Sequence, residues 1–234
     1  MKHTVLRLLA LVIVFLFSAP VAVLAADKID ERMKTATEVL NDIMAIPEDL
    51  IPPSLLNNAH GIAVIPGVIK AGFILGGRWG RGVLAVRSEG GSWSNPAFVT
   101  LTGGSIGWQI GVQSTDIILV FKSSKNIESL MKGKFTLGAD ASVAVGPVGR
   151  HTEAGTDIKL QSEIYSYSRS RGLFAGVALE GAALQFDYRA IESFYQSPGL
   201  TPRALFSGLS ARAPFSAIQF RETVGRYTAT TSTR

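Results

Sequence analysis

Gly103-Gly104-Ser105-Ile106-Gly107 has the G-x-S-x-G spacing of serine hydrolases, where a strained strand-to-helix turn exposes a nucleophilic hydroxyl. His151 is the one histidine downstream that could act as its base. After Ser105, however, Gly107, Gln109, Gly111 and Gln113 alternate with apolar residues, which is the period of a strand and not of a helix. Gly80-Arg81-Gly82-Val83-Leu84-Ala85 resembles a dinucleotide fingerprint, but pyrophosphate binding needs a helix N-terminus and strand-forming residues follow instead. His151-Thr152-Glu153 is an H-x-E fragment without the further His or Cys donors a zinc site needs. Asp116, Asp140, Asp157 and Glu163 are scattered, and no spacing pairs them as acid and base. No catalytic residue, metal ligand or cofactor is expected.

Cationic residues are the better candidates. Lys70, Arg78 and Arg81 surround Trp79 in a glycine-rich stretch; Lys132 and Lys134 flank Gly133; Arg169 and Arg171 flank Ser170. Arginine grips a phosphate through paired donors and lysine acts as a point charge, while tryptophan favours the membrane–water boundary. Each cluster therefore suits an anionic headgroup.

The elements that must carry these residues are mostly strands. Lys28 to Ala45 is first an amphipathic helix, with Ile29, Met33, Ala36, Leu40 and Ile43 on one face. Packing on a sheet is its expected fate, with a membrane surface as the alternative. Pro47 ends it, and Pro52-Pro53 opens a short helix through Leu55, Leu56 and Ala59. Short strands are expected at Gly61–Ile65 (ending at a Pro66-Gly67 turn), Ala71–Leu75, Gly82–Arg87, Pro96–Leu101, Ser105–Val112 and Asp116–Phe121. Glu89 to Ser92 reads as a hairpin turn. A helix over Ser124–Met131 capped by Ser124 or Asn126, strands at Leu137–Val148, Ile158–Ser168 and Leu173–Leu179, and a closing helix over Asp187–Gln196 follow. The fold class is thus α+β: a β-rich, curved antiparallel sheet, as a sandwich or partly closed barrel, with an N-terminal amphipathic helix and a closing C-terminal helix.

Residues 1–25 read as a secretory signal peptide. Lys2, His3 and Arg7 precede the apolar run Leu8–Phe17, and Val23-Leu24-Ala25 suits cleavage before Ala26. Cleavage removes Lys2 and Arg7 and no acid, lowering the formal charge from +5 to +3. That balance favours anionic surfaces without reaching a nucleic-acid-binding excess. With no cysteine, disulfides, thiolate metal sites and lipoprotein attachment are excluded. Residues 26–197 form the expected domain. Residues 198–234, with five arginines against Glu222 and three prolines, read as a basic, largely disordered tail with a weak helix around Arg203–Ser210.

The order of several segments resembles the SYLF domain family, which includes eukaryotic lipid- and actin-binding proteins and bacterial secreted forms. They are Ile51-Pro52 through His60–Pro66, Gly72–Gly77 with Gly80-Arg81-Gly82, Pro96–Phe98, Gly103–Gly111, Asp116–Phe121, Leu137–Asp140, Tyr165-Ser166, Gly172–Val177 and Glu180-Gly181. The resemblance spans roughly residues 28–196. It implies non-enzymatic binding of phosphoinositides or other anionic lipids, with Lys28, Arg32 and Lys34 of the first helix as cationic candidates. This sequence departs from eukaryotic members in having no SH3 or FYVE module, and its signal segment separates it from cytosolic actin. The expected protein is exported to the periplasm or envelope, where phosphatidylglycerol, cardiolipin or lipid A would be met. Its expected partners are anionic phospholipids or a membrane surface, and no nucleic acid. The alternative is a structural envelope protein that binds a protein partner, and a serine hydrolase is an outlying third reading.

Overall fold

The computed structural model describes residues 27–45, 51–147, 161–170, 173–208 and 212–229. The expected signal segment, Arg171, His151, Glu153 and Asp157 lie outside them.

The first helix, α1, spans 27–44. Its stripe does what the spacing implies: Met33, Ala36, Leu40 and Ile43 are fully buried, and Ile29 packs at the core's edge. That fate costs the helix its role as a free lipid-inserting face, because the apolar stripe is already covered. Helix α2 is Pro53–Asn57, begun by proline where no N–H is needed. Helix α3 is Ser124–Met131, capped by the Ser123 hydroxyl accepting from the Lys125 N–H at 3.2 Å; Asn126, expected as a cap, is buried instead.

Two strands replace the six short ones expected between residues 61 and 121. Strand β1 runs Gly61–Val86 and β2 runs Ala97–Phe121, antiparallel from Gly61↔Phe121 to Leu84↔Ala97. Pro66-Gly67 is not a turn. It lies in a register shift between Ile65 and Val68, where the ladder does not need the N–H that proline lacks. Gly67 takes φ +55° there and donates its N–H to Asp116 Oδ1 at 2.9 Å. The glycine-rich stretch Gly76–Arg81 likewise stays in the ladder. Only the expected turn at Glu89–Ser92 is real, closed by Ser88 N–H to Ser92 O at 2.8 Å.

At about 3.3 Å per residue, a straight strand of this length would run about 85 Å, roughly twice the width of such a domain. The hairpin therefore doubles back. A Cβ on Gly82 would lie 2.1 Å from the Val64 carbonyl oxygen and 2.6 Å from Ile65 Cα, so residues 64–65 cross directly over residue 82 of the same strand. Glycine at 82 is what allows that approach.

Each half of the hairpin gains neighbours. Strand β5 (Ile164–Ser170) pairs with Asp116–Phe121 and carries β6 (Leu173–Gly176) and β4 (Val143–Val145). Strand β7 (Ala183–Phe186) pairs with Val99–Thr102 and carries β3 (Phe135–Thr136). The result is a seven-stranded sheet, curled as a half-barrel, antiparallel except for β4–β5. Both β3 and β7 escape sequence reading because they are so short. The expected strand over Leu137–Val148 forms only as β4, after a turn at residues 137–141 in which Gly138 takes φ +87° and Asp140 accepts from the Thr136 N–H at 2.6 Å.

The closing helix α4 (Tyr188–Tyr195) forms as expected, with Ile191, Phe194 and Tyr195 buried. The disordered tail does not. Helices α5 (Pro202–Phe206) and α6 (Phe215–Tyr227) follow, with Leu205, Ala217, Phe220 and Val224 fully buried. Helix α6 lies parallel to α1, joined by Ser216 Oγ–H to Asp30 Oδ1 and by Tyr227 Oη–H to Asn41 Oδ1 at 3.1 Å. Of the arginines that suggested a tail, Arg203 lies on α5 and Arg221 and Arg226 lie on α6.

Candidate functional site

The hydrolase and nucleotide motifs do not assemble. Ser105 lies within β2 opposite Gly76, with strand on both sides, so no nucleophile elbow exists. Gly80–Gly82 lies within β1 and leads into more strand. Among the described residues no group of three His, Asp or Glu side chains could hold a metal. Asp116, Asp140 and Glu163 instead accept hydrogen bonds from the backbone N–H groups of Gly67, Thr136 and Ser142.

A different constellation gathers around the first turns of α1. Period-two alternation puts Trp79 and Arg81 on one face of β1, and the Arg81 guanidinium lies 4.9 Å from the Trp79 ring centroid. Trp79 is 45 % exposed. Arg32 projects from α1 over Phe98, 5.6 Å from its ring centroid, with Nη1 3.7 Å from Asp187 Oδ2. Burial, then repulsion by the nearby Arg81 charge, lowers the Arg32 pKa from its ordinary value, with Asp187 opposing. Arg32 Nη1 is buried without a hydrogen-bond acceptor. Arg32 thus feels the Arg81 charge while its nearest carboxylate, Asp187, stays beyond hydrogen-bond distance.

Two exposed aromatics are sequence neighbours of these contact partners. Tyr188 follows Asp187, the ion-pair partner of Arg32, and Phe215 precedes Ser216, the hydrogen-bond partner of Asp30; they are 46 % and 73 % exposed. Lys28 and Lys34 are exposed on α1, Lys34 pairing with Asp30 at 2.8 Å. Burial would raise the Asp30 carboxyl, but hydrogen bonds from Lys34 and Ser216, with the Lys34 charge, hold it below its ordinary value.

The remaining basic candidates go elsewhere. Arg78 takes the opposite face from Trp79 and donates Nη1–H to the Ala178 carbonyl at 3.0 Å. Arg169 binds Asp42 at 3.0 Å, ten residues and so about 15 Å along α1 from Arg32. Lys70 lies in the other half of the hairpin, opposite Gln113. Lys132 and Lys134 are exposed beyond α3, and no described contact links them to Trp79. Sequence reasoning named Lys28, Arg32, Lys34, Trp79 and Arg81 separately. It missed Tyr188 and Phe215, which carry no signal beyond being aromatic.

Residues 102–227 match the family model described as "Ysc84: Las17-binding protein actin regulator". The chain belongs to the Ysc84, or SYLF-domain, family. The matched stretch ends at the last residue of α6, so α5 and α6 lie within the region the family model covers. The chain is similar to an SH3 domain-containing protein of Schizosaccharomyces pombe, 40% identical over 168 residues that cover 70% of this chain and 39% of that one. It is 38% identical to Protein YSC84 of Saccharomyces cerevisiae over 69% of this chain and 35% of that protein. It is 36% identical to human SH3 domain-containing YSC84-like protein 1 over 64% of this chain and 46% of that protein. The chain thus spans less than half the length of these relatives.

Proposed function

We propose that this Ysc84-family chain is exported by residues 1–25, is cleaved before Ala26, and binds anionic phospholipid at an envelope membrane without catalysing a reaction. The observation that carries the reading is the pairing of Arg32 with Arg81 beside exposed Trp79. An acceptorless buried N–H on Arg32 and the like charge of Arg81 acting on it make an anion favourable there. Arg81 and Arg32 would hold a headgroup phosphate, phosphoinositide-like or not, while exposed Trp79 enters the interfacial layer. Lys28 and Lys34 add longer-range attraction, worth about 1 kcal/mol per basic residue near an anionic surface.

Co-sedimentation with phosphatidylglycerol-containing vesicles at low salt tests this, with pure phosphatidylcholine vesicles as the comparison. Arg81→Glu changes the charge by two and should weaken binding by about 2 kcal/mol, roughly 30-fold. Equal binding to both vesicle types, or no loss with Arg81→Glu, would refute the reading. A second reading is favoured by the family description, which names a protein partner, Las17, for the family. On that reading the same aromatic edge docks an envelope protein, and a partner co-purifies while vesicles stay unbound.

A further inference from the structure

Away from that edge, a cavity of about 940 Å³ opens between the hairpin turn, the end of α5 and one face of α6. Its size falls at the upper end of small-molecule sites, about 300–1,000 Å³. Arg87 forms its back wall. Its guanidinium lies 4.9 Å from the Trp93 ring centroid and donates to the carbonyls of Asn57 at 2.6 Å, Thr228 at 3.2 Å and Leu56 at 3.4 Å. Arg221, across the cavity, donates Nη1–H to Asn95 Oδ1 at 2.8 Å. All these acceptors are neutral. Neither arginine has a carboxylate within ion-pair distance among the described residues, although Glu222 lines the same space. Both cations are therefore held in place without a counter-ion among the described residues.

The rest of the wall suits a hydroxylated body. Ser88 and Ser92 present hydroxyls 2.9 Å apart, and Trp93 is pinned by its Nε1–H to Thr228 Oγ1 at 2.7 Å. Gly225 lies beside Trp93 inside α6. A Cβ there would meet nothing closer than Trp93 Cδ1 at 3.8 Å, so no neighbour in the fold requires glycine. A mid-helix glycine costs about 1 kcal/mol relative to alanine. What that cost leaves behind is room next to the indole.

We propose that this cavity binds a small phosphate ester of a polyol, its phosphate facing Arg221 and Arg87 and its hydroxyls the serine wall. Two guanidiniums whose described hydrogen-bond acceptors are all neutral favour a dianionic phosphate over a neutral sugar, and the volume exceeds what bare phosphate fills. The inference does not depend on the lipid reading. A free phosphate ester and a glycerophosphate headgroup share this chemistry, and the test separates them.

Titration calorimetry of the purified protein with sn-glycerol 3-phosphate should show saturable binding, with glycerol giving none. Arg221→Gln, which removes the charge, and Gly225→Leu, which fills the space beside Trp93, should each weaken binding at least tenfold; circular dichroism checks that both fold. Absence of binding by the unaltered protein, or equal binding by both variants, overturns the proposal. In the vesicle assay, a loss with Arg221→Gln identifies the source as a lipid headgroup. If Arg221→Gln leaves vesicle binding unchanged, the cavity serves a soluble ester. Loss of vesicle binding with Arg81→Glu alone reports on the α1 edge and leaves the cavity untouched.

Discussion

Replacing Gly82 with alanine should destabilise the protein strongly, although the substitution adds one methyl group within a strand. The added carbon would lie 2.1 Å from the Val64 carbonyl oxygen, 2.6 Å from Ile65 Cα and 2.9 Å from Ile65 Cγ1. Two of these three atoms are backbone, so no side-chain rotation relieves the clash and the crossing segments must part. Overpacking costs about 1–3 kcal/mol when side chains can adjust, and here the cost should reach about 3 kcal/mol or more. At about 2–4 °C per kcal/mol for a domain of this size, the melting temperature should fall by about 6–12 °C. Gly104→Ala is the control, because a Cβ there meets nothing within 4 Å. Thermal and urea denaturation followed by circular dichroism would read both variants. If Gly82→Ala melts with the unaltered protein while Gly104→Ala behaves as expected, residues 64–65 do not cross at residue 82 and the doubled-back hairpin is wrong. Trp79 and Arg81 precede the crossing by only a few residues, so the same variant should also disturb vesicle binding.

Two further outcomes follow from the packing. Phe220→Ala, in a helix whose sequence reads as tail, should cost about 3–5 kcal/mol because the ring is fully buried; an unchanged urea midpoint would return α6 to the periphery. The Asp30 carboxyl sits below its ordinary value despite the opposing effect of burial, so its contribution is present above the unfolded value near pH ~4 and is lost as pH falls through the lower folded value. Asp30→Asn should therefore flatten the acid limb of the stability–pH curve, and an unaltered limb would show that the Lys34 and Ser216 contacts do not act on folding.

The helices α1, α3 and α4 were legible because each buries a stripe at helical spacing, and Met33, Ala36, Leu40 and Ile43 suffice to place α1. The strands were legible in kind but not in length. Glycine and Pro66-Gly67 read locally as breaks, whereas a curled ladder absorbs them as bulges and close approaches. Helix α6 was hidden by composition: Ala217, Phe220 and Val224 have helical spacing, but the arginines and threonines around them outweighed it. Of the candidate site, Trp79 with Arg81 could be read from strand alternation. That the Arg81 charge should act on Arg32 of α1, and that Asp187 should pair with it, depends on packing between segments far apart in the chain.

By itself the sequence determined the class of fold, the absence of thiol chemistry, the helices with strong apolar stripes and the membership of a family that residues 102–227 then bore out. These follow from local periodicity and residue type, which each segment carries alone. Only the tertiary structure decided that one hairpin doubles back over Gly82, that the last helix is core, and that the Arg81 charge on β1 acts on Arg32 of α1. It also decided that Arg87 and Arg221 face one cavity with no carboxylate in ion-pair distance among the described residues. The reason is that bending a long strand pair and juxtaposing like charges are set by what packs across the fold, and no single segment encodes its distant neighbour.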